Sequence, residues 1–219
     1  MKSFAAKPLY PVNLAGRSFS WLLWKVLLVT LLSGGANTAH ADLALPEAFI
    51  EALAEAGLLF NEQAFEAFEI VPIVDNPHMD YELAVRSKDF PLEIRYALRR
   101  YDPSPKVGDV GPEAMEHAVF SPVLMNIAEW RGRGSKLTPM ILNSTVFDQN
   151  AVQAEFNADW GEAGIVVPKK DFAGKFDRCM VVFITKQRTQ AFIFYLFNSH
   201  DTESAMAKLE PVYYTLRFR

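Results

Sequence analysis

The stretch Phe176–Asn198 constrains the fold of this chain more than any other. It runs Phe-Asp-Arg-Cys-Met-Val-Val-Phe-Ile-Thr, then Lys186-Gln187-Arg188-Thr189, then Gln-Ala-Phe-Ile-Phe-Tyr-Leu-Phe-Asn. Two β-branched and aromatic runs around a polar turn form the pattern of a β-hairpin. In the second run both parities are apolar: Phe192, Phe194 and Leu196 alternate with Ile193, Tyr195 and Phe197. A strand with one wet face alternates apolar and polar residues, whereas a strand covered on both faces does not. The hairpin is therefore expected at the centre of a sheet. The expected class is α+β: an antiparallel sheet covered by helices on both faces, an α/β/α sandwich, in a single domain.

A second hairpin is expected over residues 80–99. Tyr81, Leu83 and Val85 alternate with Asp80, Glu82 and Arg86; Leu92, Ile94, Tyr96 and Leu98 alternate with Glu93, Arg95 and Arg99. Folding about Lys88–Pro91 sets Val85 against Ile94, Leu83 against Tyr96 and Tyr81 against Leu98. The same register pairs Arg86 with Glu93 and Asp80 with Arg99, so apolar and charge matching agree. One face of this hairpin is expected to be wet.

Around the hairpins, Leu45–Phe68 is expected as helix, with Pro46 at its first position and Gly57 as a point where it can break. Phe49, Leu53, Ala56 and Phe60 form its inner stripe. Glu47, Glu51 and Glu55 form a solvated row, with docking of a cationic partner as the alternative. Glu69–Val74 reads as a short strand and Asp102–Pro112 as a loop. Pro112–Trp130 reads as helix with Met115, Val119, Val123, Ile127 and Trp130 inward, interrupted at Ser121-Pro122. Ser144–Trp160 reads as helix, Ile165–Val167 as strand, Asp201 or Thr202 as the cap of a helix to Glu210, and Val212–Phe218 as a closing strand.

The first 41 residues are expected to be a cleaved secretory signal peptide, leaving 42–219 as the domain. The leader is basic through Lys2, Lys7, Arg17 and Lys25, and Val26–Leu32 is a seven-residue apolar run. A membrane-spanning helix needs about 20 residues, so seven suit a signal core. Ala39-His40-Ala41 is a small-x-small cleavage site. An uncleaved anchor is the alternative; no cysteine follows the apolar run, so a lipid-modified start is not expected. The leader holds four of the 22 basic residues and none of the 26 acidic ones, so the remainder has a net charge of −8 against −4 for the whole chain. An acidic chain repels phosphate backbones, which argues against nucleic acid as a partner. Cys179 is the only cysteine, so internal disulfides are excluded. The expected location is the periplasm or the secreted fraction, with no stable transmembrane segment after cleavage.

Little in the sequence points to chemistry. His78, His117 and His200 have no zinc-ligand spacing, and no metal or cofactor is expected. His200-Asp201 is set aside as a base with its orienting acid, since adjacent residues rarely align that way, and Asp201 reads as a helix cap. Cys179, inside an apolar strand, reads as a core residue and not a nucleophile. Trp130 and Trp160, near element ends, read as a rim of the core within reach of the surface, with a ligand pocket there as the alternative. No catalytic residue is assigned. The one binding candidate is Arg131-Gly-Arg133-Gly-Ser-Lys136, three cations among glycines that suit an anion, or else a soluble loop.

The order of hairpin, helix, long apolar hairpin, helix and alternating C-terminal segment resembles the PsbP-like superfamily. The resemblance rests on Tyr81–Tyr101, Phe172–Asn198 and the closing Tyr214-Thr215-Leu216-Arg217-Phe218. It implies an α/β/α fold and a role in binding other proteins, with no catalytic residues to carry over. The expected function is thus a non-enzymatic exported protein that binds an envelope protein or an amphiphilic small molecule. The alternative is a small periplasmic hydrolase whose residues meet only in three dimensions, with His117 or His200 beside an acid or Cys179.

Overall fold

The computed structural model describes residues 43–100 and 112–219. The expected leader and nearly all of the expected loop 102–112 lie outside the described residues, as does the side chain of Met115. The elements in chain order are α1 (Glu47–Ala56), β1 (Leu58–Phe60), β2 (Phe68–Ile70), β3 (Leu83–Ser87), β4 (Glu93–Arg100), α2 (Pro112–Ile127), β5 (Trp130–Arg131), β6 (Thr138–Pro139) and β7 (Ile141–Val146). They continue with α3 (Gln149–Phe156), β8 (Trp160–Val166), α4 (Lys170–Ala173), β9 (Arg178–Lys186), β10 (Thr189–Phe197), α5 (Thr202–Leu209) and β11 (Leu216–Phe218). No helix among the described residues is long and apolar enough to cross a membrane.

Seven strands form one antiparallel sheet in the order β2-β3-β4-β10-β9-β8-β7. The apolar hairpin β9–β10 occupies its middle, and every residue of β10 is buried. In the β9–β10 pairing Ile193 lies opposite Val182, and Tyr195 opposite Met180. Gln187 closes the turn at φ 55°. The two parities of β10 enter different clusters, Ile193, Tyr195 and Phe197 in one and Phe192, Phe194 and Leu196 in the other. The first cluster takes Phe49 and Leu53 of α1, Val152 and Phe156 of α3 and Leu209 of α5. The second takes Phe120, Leu124 and Ile127 of α2 and Phe172 of α4.

The β3–β4 pairing matches the expected register, with Leu83 opposite Tyr96, Val85 opposite Ile94 and Arg86 opposite Glu93. Its wet face, however, is not wet. Glu93 and Arg95 are 3% and 4% exposed, because α4 and the 71–82 segment lie over them.

Several helix expectations fail for identifiable reasons. Leu45–Phe68 is helical only to Ala56, where Gly57 turns left-handed at φ 65° and its N–H caps the helix; Pro46 stands before the first turn and not in it. Beyond it, β1 leaves the helical path to pair with β11, forming a separate two-stranded sheet. Strand β11 is only three residues long, since Val212 sits in a 3-10 turn. Ser144–Trp160 divides into the edge strand β7 and the short helix α3, whose start Asp148 caps by accepting from the N–H groups of Asn150 and Ala151. Val152 and Phe156 are its buried residues. Helix α2 runs through Pro122 without a break and turns Phe120, Leu124 and Ile127 inward, leaving Val119 and Val123 half-buried. Trp160 is buried and Trp130 exposed.

Candidate functional site

Helix α4 is a single turn between β8 and β9, and three anchors set its position. Lys169 donates its backbone N–H to the Ile127 carbonyl at 2.8 Å and its ammonium to the Asn126 carbonyl at 2.7 Å, tying the turn to the end of α2. Phe172, 2% exposed, packs edge-on against Phe194 at 5.4 Å. Arg95 reaches from β4 and donates through Nη1 to the Phe172 carbonyl at 2.5 Å.

Arg95 belongs to a buried charge network. Its guanidinium lies 2.7 Å from Glu93, which also accepts from Arg86 at 2.7 Å. The Tyr81 and Phe172 rings flank it, with centroids 4.8 and 5.2 Å away. A guanidinium between aromatic faces and a shared carboxylate is well compensated. His78 adds a fourth tie: its Nε2 lies 2.9 Å from Asp171, a contact set by distance and not by hydrogen-bond alignment, since His78 Nε2 has no aligned partner. The imidazole beside it holds the Asp171 carboxyl below its usual range.

Two clefts open on either side of this turn. One, of about 370 Å³, has the Arg86–Glu93–Arg95 network at its floor and Asp171 and Lys175 at its rim. The other, of about 480 Å³, is lined by Arg131, Leu142, Lys170, Lys175 and Arg178, with Glu129 and Asp177 as its acids. Lys170, Gly174, Lys175 and Phe176 belong to both. Asp177 is already engaged, accepting from the Ser199 backbone at 2.6 Å and the Ser199 hydroxyl at 2.8 Å. Arg131, Lys170 and Lys175 form no ion pair among the described residues.

Of the three cations read from the sequence, the structure brings Arg131 into the larger cleft and leaves Arg133 and Lys136 exposed on the β5–β6 connection. Lys170, Lys175 and Arg178 were not read as site residues. Their signal was present, since Lys169-Lys170 and Lys175 bracket a Gly-containing turn, but nothing local shows that β5 lies beside it.

A second cluster places His117 beside an acid, as the hydrolase alternative expects, although the acid, Glu162, and the neighbouring Ser121 are not named by the sequence. His117 Nδ1 lies 3.0 Å from Glu162 Oε2, and its Nε2 lies 3.2 Å from Ser121 Oγ. With the ring proton on Nδ1 donating to Glu162, Nε2 accepts from the Ser121 hydroxyl, the linkage of a nucleophile, a base and an orienting acid. Glu162 is 1% exposed and also accepts a short hydrogen bond from Ser144. The i,i+4 spacing of His117 and Ser121 was legible; the arrival of Glu162 from β8 was not. None of these residues lines either cleft.

The remaining candidates do not converge. Cys179 is fully buried, and burial pushes its thiol far above its usual range. His200 Nε2 lies 3.1 Å from Asp201 at the surface, and the Asp201 side chain makes no cap bond, contrary to the expected cap. Among the described residues no group of three or more His, Cys, Asp or Glu side chains is placed to hold a metal.

No family model and no curated protein matches this chain. A solved structure similar to it is the solution structure of cyanobacterial PsbP (CyanoP) from Synechocystis sp. PCC 6803, with a TM-score of 0.48 and 8% identity over 86% of this chain and 99% of that chain. The chain resembles PsbP in fold. That is the likeness expected from the order of its elements.

Proposed function

We propose that this chain is an exported, non-enzymatic protein, periplasmic or secreted, that binds an envelope partner across the face built by α4. Residues 1–41 are the cleaved leader and 42–219 the working domain, an α/β/α sandwich whose two helical layers correspond to the two apolar clusters. The observation that carries the reading is the pair of clefts sharing Lys170, Gly174, Lys175 and Phe176. The turn between them is anchored by Arg95 and Phe172, and Lys170 and Lys175 project from it exposed and without an ion pair among the described residues. Exposed cations on an anchored backbone attract an anionic group.

The test is capture from envelope extracts with the wild-type chain and with the exposed pair changed, Lys170→Glu and Lys175→Glu. A partner retained by the first and lost by the second is expected; equal recovery by both overturns the assignment of this face.

A hydrolase is the second reading, and Ser121–His117–Glu162 is the observation in its favour. It requires turnover of an activated ester such as p-nitrophenyl acetate that disappears in Ser121→Ala. Turnover equal to that of Ser121→Ala removes it.

A further inference from the structure

The residues from Trp130 to Thr138 are exposed without exception. They hold three cations, Arg131, Arg133 and Lys136, and no acid, in a chain that is acidic overall. None of the three forms an ion pair among the described residues. The segment is a built turn. Trp130 pairs with Pro139 and Arg131 with Thr138. Gly132 stands at φ +127°, and a Cβ there would meet the Lys136 carbonyl oxygen at 2.1 Å, so only glycine closes the tip.

The same ribbon carries apolar side chains that nothing described covers. Trp130 is 43% and Leu137 50% exposed, and the two-residue period of a strand sets Leu137 on the face of Trp130 and Pro139. The indole N–H already donates to the Met125 carbonyl at 3.1 Å, so the ring is held with its polar group satisfied. Met125, whose carbonyl accepts that bond, and Leu142 are also exposed apolar residues, at 37% and 49%. Leu142 and Arg131 also line the larger cleft with Lys170, Lys175 and Arg178.

We infer that this ribbon seats the protein on a bilayer surface carrying anionic phospholipid, an inference that rests on the binding reading above and names its partner. Cations unaccompanied by acids favour an anionic leaflet, and an indole ring with apolar neighbours suits the level between headgroup and acyl chain. The cleft beside the ribbon then takes a phosphate headgroup among Arg131, Lys170, Lys175 and Arg178. An acidic protein would need the cations but not the exposed Trp130–Leu137 face.

The experiment is co-sedimentation of the protein, in the form the cell accumulates, with phosphatidylcholine vesicles containing or lacking phosphatidylglycerol. Binding is expected only with phosphatidylglycerol, and to weaken as salt screens it. Arg131→Ala, Arg133→Ala and Lys136→Ala together are expected to weaken it roughly a hundredfold, at about fivefold per cation. Trp130→Ala is expected to weaken it further at unchanged charge. Each variant alters exposed side chains, and an unchanged circular dichroism melt confirms its fold. Free glycerol 3-phosphate is expected not to displace the vesicles; displacement would show a site for a soluble phosphate and overturn the inference. Binding indifferent to phosphatidylglycerol, or to Trp130→Ala, overturns it as well. A protein partner that depends on Lys170 and Lys175, without vesicle binding, overturns this inference and leaves the binding reading standing. Loss of both overturns both.

Discussion

Arg95 is the residue on which the candidate site is built. Its guanidinium satisfies Glu93 and the Phe172 carbonyl at once, in a position 4% exposed. Without Arg95, Glu93 keeps only Arg86 as its cation and the Phe172 carbonyl loses its donor, so buried acceptors are left short of partners. Arg95→Met is therefore expected to destabilise the protein by about 1–3 kcal/mol. Adding Glu93→Leu to it is expected to restore part of that loss, read as a rise in the urea midpoint. A double variant less stable than Arg95→Met would contradict the role given to the pair. The alternation of residues 92–99 made Arg95 look like a wet-face cation, because the cover over it comes from α4, 77 residues along the chain. Asp171 offers a pH readout on the same turn. Its carboxyl titrates below the usual range because of His78, so the contribution of the contact is present at neutral pH and is lost as pH falls through that depressed value. The melting temperature of Asp171→Asn should accordingly fall less than that of wild type as pH is lowered from neutral into the carboxylate range. Parallel curves would show that the contact contributes nothing.

Elements were legible where the pattern depends on neighbours in sequence. The β3–β4 hairpin has a period of two and a short turn, so its register follows from which residues match across it, whereas β9–β10 shows as two apolar runs around a polar turn. Failures cluster where the deciding partner is remote. Leu58–Phe60 continues an apolar helical stripe, yet β1 pairs with β11 at the far end of the chain. Residues 141–146 show little alternation because β7 is an edge strand whose residues from Leu142 onward are exposed on both faces. Close packing on β8 explains why helices settle where they do. A Cβ on Gly161 would stand 2.8 Å from both Phe147 and Val152, and one on Gly164 would stand 2.8 Å from Leu124. Val152 on α3 and Leu124 on α2 belong to different apolar clusters, so each glycine makes room for a different helix. Gly161→Ala meets a stiff β-branched side chain and a ring; Gly164→Ala meets the end of one flexible leucine. Overpacking costs typically about 1–3 kcal/mol, and Gly161→Ala is expected at the upper part of that range with Gly164→Ala below it. Equal thermal midpoints for the two variants would refute this difference in compliance.

For the whole molecule the decisive fact is where the apolar hairpin sits. Its centrality could be read from the two apolar parities of β10, but its neighbour β4 could not, since pairing of residues 93–100 with 189–196 leaves no local trace. Cys179 lies on β9 between β10 and β8, with no exposed surface, in the cluster capped by α2 and α4. A reagent reaches its sulfur only if β9 separates from the sheet or if that layer lifts, and either disrupts the packing of the core. Burial also pushes the thiol far above its usual pKa, so the reactive thiolate is suppressed as long as the fold persists. Labelling of this single thiol is therefore expected to report global opening and not local fraying. In native buffer Ellman's reagent should react more than a thousandfold more slowly than with the unfolded chain, given a stability of at least about 5 kcal/mol. The urea concentration at which labelling accelerates should coincide with the midpoint of circular dichroism. Labelling at the unfolded-chain rate without denaturant would remove β9 from the interior, and the rigid support of α4 and both clefts with it.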